Sequence, residues 1–410
     1  MELHELRDLL PGDSYRSRDS NRGRVRVRRW EYPSSRSLGE KAPLVQYQLI
    51  TEKNQLHQFT MICSESPVLT VDTEFARVNT YYPEVGLIQI FNGEQCFLID
   101  PISLPDLKPL RRLMLSSSII KVFHSCSEDL EVFQYAMGLI PNPIFDTQIG
   151  AALLGIGFSA SYQSLVGHYL GIELSKYETR SDWLKRPLTE NQLKYAALDV
   201  VHLYDVYNAE LEALSEADRL GWASEECSSL GSQIATMVDP QQFYKKIRGA
   251  GALNRLQLNV LRSLSSWREL IAREKNIPRN RVLDQKALLA IAKVPLSSKA
   301  ELQKVGGFTS KQVRMYSDDI FRVLEEAWIQ EEQFCPQLIP RSSGSVNSSH
   351  LQRLKQVVRE RAESLNVSPE FLAKRRHMEE LLRTNELPKE LDGWRKDVIG
   401  EPLLHEMASF

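Results

Sequence analysis

Strand-like runs are confined to the first half of this chain. Short apolar stretches bounded by turn residues recur between Leu44 and Leu214 and then stop. Past residue 253 the apolar residues keep helical spacing and no strong strand signal survives. A chain divided in this way folds as an α/β domain followed by all-α modules. Its 410 residues exceed one ordinary domain and leave room for two or three.

Within the α/β part, Leu69 to Glu74 reads as a short strand. Gly86 to Phe91 and Cys96 to Asp100 read as two strands joined by a tight turn, with Asn92-Gly93 as the cue. Ile119 to His124 is a further strand. Ser125-Cys126-Ser127-Glu128 has the spacing of a capping box, and Leu130, Val132, Phe133 and Met137 continue it as a helix. Thr147 to Leu154 and Tyr162 to Leu170 are helical. Thr189, with Gln192 three residues on, opens a helix that runs through Tyr195, Asp199 and Tyr204.

Changes in composition divide the rest. Residues 1–42 form an Arg/Ser-rich tail with little apolar periodicity. The α/β domain takes 43–214, a helical connector 215–252, a first helical module 253–334, a Pro/Ser/Gly linker 335–350 and a second module 351–410. The two modules resemble each other. Asn276-Ile277 precedes Arg281-Val282-Leu283, and ninety residues later Asn366-Val367 precedes Phe371-Leu372-Ala373. Gly307-Phe308 has its counterpart in Gly393-Trp394, which makes a tandem duplication the expected origin.

Composition excludes several classes of function. No apolar run approaches the length of a membrane span. The opening residues lack the apolar segment of a secretory leader. Five scattered cysteines without a CxxC pair suggest neither a zinc site nor a disulfide framework, so a reducing cytoplasm is expected. A net charge of −2 argues against coating nucleic acid by bulk charge. Charge is segregated, however: residues 241–335 hold 17 Lys+Arg against 10 Asp+Glu. That surplus is either a solvated helical surface or a phosphate-binding one.

The stretch Val71-Asp72-Thr73-Glu74 carries the first chemical signal. Side chains two apart on a strand share a side, so Asp72 and Glu74 converge while Thr73 faces away. Two such anions repel, and a divalent cation removes the repulsion. Oxygen ligands without Cys or His suit magnesium or manganese. A strand end meeting solvent is the plain alternative. Asp129 lies in the first turn of its helix, where it either offsets the helix dipole or joins a site. Tyr195 and Asp199, four apart, share a helix face that is otherwise apolar. Four carboxylates can hold two cations for phosphodiester cleavage, with Tyr195 orienting or helping to deprotonate the attacking water.

VDTEF (71–75), FHSCSEDLEVF (123–133) and YAALDV (195–200) resemble, in order, the three motifs of the DEDD 3′→5′ exonucleases, and Tyr195 places the resemblance in the tyrosine subgroup. TYYPEVGLIQIFNGEQCFLIDP (80–101) and FDTQIGAALLG (145–155) are similar to the bacterial ribonuclease D branch, and the helical modules resemble paired HRDC domains. The resemblance implies an RNase H-like α/β exonuclease domain with a mixed sheet, followed by two all-α modules. It makes Asp72, Glu74, Asp129 and Asp199 ligands of two ions, Mg2+ or Mn2+, with Asp72 touching both. Glu74 would also contact the attacking water and Tyr195 would orient it. It implies release of nucleoside 5′-monophosphates from RNA 3′ ends, in maturation of transfer RNA precursors and other small structured RNAs with single-stranded 3′ ends. A monomer is implied as well.

Further substrate contacts are expected from Thr73 and Phe75 at the terminal nucleotide, from Gln89 if it faces substrate rather than solvent, and from His124 at a phosphate. Lys245, Lys246, Arg248, Arg255 and Arg262, the group Arg273, Lys275, Arg279 and Arg281, and Lys374-Arg375-Arg376 are candidates for tracking RNA phosphates. Two rivals remain. A DNA exonuclease uses the same motifs, although the chain has no Gly-Lys pair and so no helicase phosphate loop. A non-catalytic RNA-binding scaffold would have lost a carboxylate, and none is lost.

Overall fold

The computed structural model describes residues 46–104, 106–174, 181–235, 239–339 and 347–410. The expectations for the tail at 1–42 and for the middle of the linker lie outside these residues.

Six strands form one mixed sheet: β1 (Tyr47–Ile50), β2 (Val68–Ala76), β3 (Glu84–Phe91), β4 (Cys96–Ile99), β5 (Ile120–Phe123) and β6 (Ile144–Asp146). Their order is β1-β4-β3-β2-β5-β6. The pairs β2–β3 and β3–β4 are antiparallel, and β1–β4, β2–β5 and β5–β6 are parallel. The mixed sheet is the one expected. β1 and β6, four and three residues long, are too short to show periodicity. The Asn92-Gly93 turn is closed by Asn92, whose side chain accepts from the backbone of Glu94 (3.0 Å) and Gln95 (2.8 Å).

Alternation along β2 sorts its side chains. Leu69 and Val71 face one layer of helices, α1 (Lys53–Ser64), α2 (Lys108–Met114) and α3 (Ser127–Met137), through Leu56, Phe59, Leu110 and Phe133. After α4 (Thr147–Leu153) and α5 (Tyr162–Leu170) comes α6 (Glu190–Glu216), which covers the other face by Ala196, Ala197 and Val200 against Leu87 and Leu98. The Thr189/Gln192 capping box opens α6 as expected. α3 departs from expectation. Ser125 is not its cap; it has φ +58°, and the buried Asp146 carboxylate receives the backbone N–H groups of Ser125 (2.8 Å) and Cys126 (2.9 Å).

The rest is helical: α7 (Leu220–Ala235), then α8 (Arg255–Glu274), α9 (Arg279–Val282), α10 (Gln285–Ile291), α11 (Lys299–Val305) and α12 (Ser310–Trp328), and after the linker α13 (Ser348–Leu365), α14 (Pro369–Leu372), α15 (Arg375–Thr384) and α16 (Glu401–Met407). The internal resemblance reaches the backbone. Asn276 and Asn366 both end a long helix in the left-handed region, at φ +47° and +53°. Both are followed by the same closing bond, Ile277 to Ala272 and Val367 to Ala362, each 3.0 Å. Gly307 and Gly393 also share positive φ.

The first module closes its own core around Leu258, Leu261, Leu288 and Ile320. The second does not: Leu354, Val358 and Leu381 pack into one continuous core with Leu203, Tyr207 and Leu211 of α6. Among the described residues no helix is long and apolar enough to cross a membrane.

Candidate active site

The end of β2 delivers Asp72 and Glu74 to the α6 face of the sheet, where α6 presents Tyr195 and Asp199 one turn apart. Two hydroxyls from outside α6 fix its register here. Thr70 donates to the Val200 carbonyl (2.7 Å) and Tyr162 to that of Asp199 (2.6 Å). One ligand atom from each of Asp72, Glu74 and Asp199 then lies within 4.8 Å of the others. Asp129 lies outside this closest set. It approaches from the α3 side, buried, and accepts from the Thr73 hydroxyl at 2.5 Å. Thr73 faces away from its neighbours as expected, and what it faces is Asp129. All four carboxylates and Tyr195 line one cavity of about 750 Å³.

Like charges in a poorly solvated place favour protonation. Burial, and then Asp199, pushes Asp72 up to about 8. Burial followed by Asp72, Asp199 and Asp129 pushes Glu74 up to about 10. Burial raises Asp199 to about 7 against the opposing hydrogen bond from Tyr195. Burial and Asp72 hold Asp129 well above the usual range, although the Thr73 hydroxyl pulls the other way. A group of acids that resists ionisation as a set, with oxygen the only donor, suits a hard divalent cation. Burial and then Asp199 push the Tyr195 phenol upward, so it stays protonated at neutral pH and serves as a donor.

The remaining expected contacts divide. Thr73, Phe75 and His124 line the cavity. His124 bonds Thr147 Oγ1 through Nδ1 at 3.0 Å, and burial lowers its pKa despite Asp146. Its ring is therefore neutral, with Nδ1 engaged by Thr147. Thr73 is buried and spends its hydroxyl on Asp129. Gln89 requires a correction. It pairs across from Asp72 but is 0% exposed and does not line the cavity. It does not face solvent, because β3 is an interior strand and α6 covers that face.

Sequence reasoning passed over Tyr162 and Lys194. Tyr162 opens α5 and lines the cavity; nothing in its local sequence distinguishes it from a core aromatic. Lys194, adjacent to Tyr195, is a cation at the cavity wall, paired with Glu190 at 3.3 Å. Its place beside the motif tyrosine was the available signal.

Several basic residues expected to track phosphates are engaged in the protein. Arg273 and Arg279 grip the fully enclosed Glu269 at 2.9 and 2.5 Å, and Arg279 also reaches the Tyr81 hydroxyl at 2.8 Å. Arg281 bonds Asn79. This group docks α8 and α9 onto the loop between β2 and β3, since a buried carboxylate requires cations beside it. Arg255 donates to the Cys335 carbonyl (3.1 Å) and Arg262 to Asn259 (2.6 Å).

A family profile described as 3′-5′ exonuclease matches residues 47–213, the stretch that builds the sheet and cavity. The HRDC domain profile matches 257–324, and one described as the ribonuclease D C-terminal HRDC domain matches 348–403. Fold and cavity thus define a 3′→5′ exonuclease with two helical modules behind it. Ribonuclease D of Pseudomonas paraeruginosa is 38% identical over 374 residues, 90% of this chain and 99% of that protein. Ribonuclease D of Escherichia coli is 35% identical over 368 residues, 87% of this chain and 97% of that protein. The crystal structure of Escherichia coli RNase D, described as an exoribonuclease involved in structured RNA processing, superposes with a TM-score of 0.84 at 33% identity, covering 89% of this chain and all of that one. The chain belongs to the ribonuclease D family of 3′→5′ exoribonucleases.

Proposed function

We propose that Asp72, Glu74, Asp129 and Asp199 hold two divalent cations, magnesium or manganese, and that the chain trims single nucleotides from RNA 3′ ends. The convergence of Asp72, Glu74 and Asp199 within 4.8 Å carries this reading. Two cations held by these carboxylates would supply stabilisation of the attacking and leaving oxygens of the phosphodiester. Tyr195, protonated and hydrogen-bonded to Asp199, orients the water that attacks phosphorus. Thr73 keeps Asp129 turned toward the site, and Tyr162 and Thr70 keep α6 in place. Phe75 packs against the terminal nucleotide. The products are a nucleoside 5′-monophosphate and an RNA one residue shorter.

The substrates are transfer RNA precursors and other small structured RNAs with single-stranded 3′ ends. The relative from Escherichia coli, described as acting in structured RNA processing, supports this class. The enzyme works as a monomer in the cytoplasm; five buried, free cysteines fit a reducing compartment.

The test is a time course on a 5′-labelled, 3′-extended transfer RNA and a matched single-stranded DNA, with magnesium, manganese or chelator. A metal-dependent ladder shortening from the RNA 3′ end, with DNA spared and Asp72→Ala inactive, is expected. Better degradation of DNA overturns the RNA assignment. Unchanged trimming by Asp72→Ala overturns the site.

A further inference from the structure

Asp146, in the FDTQIGAALLG stretch, does not line the cavity. It is buried, 2% exposed, and accepts from three backbone N–H groups, one of them that of Ser125 at the cavity wall. It ends β6 opposite Phe123, the last residue of β5. One carboxylate oxygen accepts from the backbone N–H of Ser125 and of Gln148, both at 2.8 Å, and the other from Cys126 at 2.9 Å. A single buried anion therefore ties the turn before α3 to the start of α4.

That turn needs an anion. Ser125 sits at φ +58°, a left-handed backbone that strains a residue with a Cβ. Cys126 follows in the right-handed region, at φ −64°. Successive N–H groups in this pair of conformations form a concave nest that binds an anion, and Asp146 fills it. Thr147 reinforces the grip, donating to the Phe123 carbonyl at 3.3 Å and meeting His124 Nδ1 at 3.0 Å. The segment held in this way carries His124, Ser125 and Asp129 into the cavity.

We infer that Asp146 is a positioning residue of the exonuclease site: by filling the Ser125–Cys126 nest it sets where the Asp129 carboxylate stands relative to Asp72 and Glu74. The inference rests on the ligand role proposed for Asp129. Thr73 holds that carboxylate from β2, and Asp146 holds the backbone that carries it.

The experiment compares full-length Asp146→Asn with the parent on 3′-extended RNA, reading kcat, KM and the magnesium concentration for half-maximal rate. Asparagine keeps the shape but loses the charge and turns an amide toward an N–H group. The kcat falls and the half-saturating magnesium rises, each roughly 10- to 100-fold, while KM for RNA stays within about twofold. Adding Ser125→Gly to Asp146→Asn removes the strain the anion holds and recovers part of both losses, judged against Ser125→Gly alone. Thermal melts give the folded fraction. Unchanged rate per folded molecule and unchanged magnesium response overturn the inference, as does an Asp146→Asn loss that Ser125→Gly does not relieve. Asp72→Ala, run in parallel, separates the two readings: its retained activity would remove the proposed site itself, whatever Asp146→Asn does.

Discussion

The acids at the end of β2 make stability depend on pH in the opposite sense to ordinary paired carboxylates. Free carboxyls titrate near pH 4 in the unfolded chain, whereas burial raises Asp199 to about 7, and burial with the neighbouring acids raises Asp72 and Glu74 to about 8 and 10. A raised acid keeps its proton in the folded state after the unfolded chain has lost it. Its stabilising effect is complete below about pH 4 and is lost as pH climbs through the folded values. The metal-free protein is therefore expected to melt at progressively lower temperature from pH 5.5 to pH 9. Magnesium replaces the protons, so it raises the melting temperature more at pH 8.5 than at pH 6. Melts with chelator and with magnesium across that range check both slopes, and Asp199→Asn flattens the metal-free one. At this scale the sequence was informative. Asp72, Glu74, Asp129, Tyr195 and Asp199 are all legible from spacing and motif, and all line one cavity. Gln89 was not legible, because alternation along a strand tells which side a residue takes and not what covers that side.

Elements were readable in proportion to their length and to how locally they are capped. The helix opened by Thr189 and Gln192 carries its own cap three residues away and begins where expected. α3 has no side-chain cap; Asp146, at the end of β6, holds only the turn that leads into it, so Ser125 and Glu128 supplied a spacing that the fold does not use. β6 has three residues and exists because β5 offers it an edge. The duplicated modules are legible at their glycines and asparagines, where a left-handed backbone restricts the residue choice. Gly393 shows the restriction most sharply. At φ +64°, a Cβ there would stand 1.5 Å from Glu225 Oε1, whose carboxylate receives the Trp394 N–H. Gly393→Ala is expected to destabilise the protein by more than the roughly 1–2 kcal/mol of the backbone effect alone. Gly171→Ala, in the left-handed region at φ +66° with open space around it, isolates that backbone effect. Urea midpoints of the two variants provide the comparison.

The two modules are attached to the exonuclease domain by different physics. The second shares an apolar core with α6, and Trp394 stacks on Trp222 at 4.6 Å, so it cannot leave without exposing Leu203, Tyr207 and their neighbours. The first keeps its own core and meets the β2–β3 loop through Tyr81, Asn79 and the guanidinium groups around Glu269. That loop begins within a few residues of Glu74. Glu269 is fully enclosed and holds two arginines, so removing its charge leaves like charges facing each other at the joint. Glu269 is enclosed but Arg279 is 42% exposed, so solvent screens part of the loss and the effect falls first on the joint. Glu269→Gln is therefore expected to speed hydrogen exchange at residues 77–83 and along α8, with the shared core of the second module staying protected. Trimming of a trinucleotide, which needs only the cavity, should persist, while KM for a folded RNA with a 3′ tail should rise. Uniform exchange throughout the chain would instead make Glu269 part of one indivisible core. Equal KM values for the folded RNA would show that the docked position of the first module has no part in binding it.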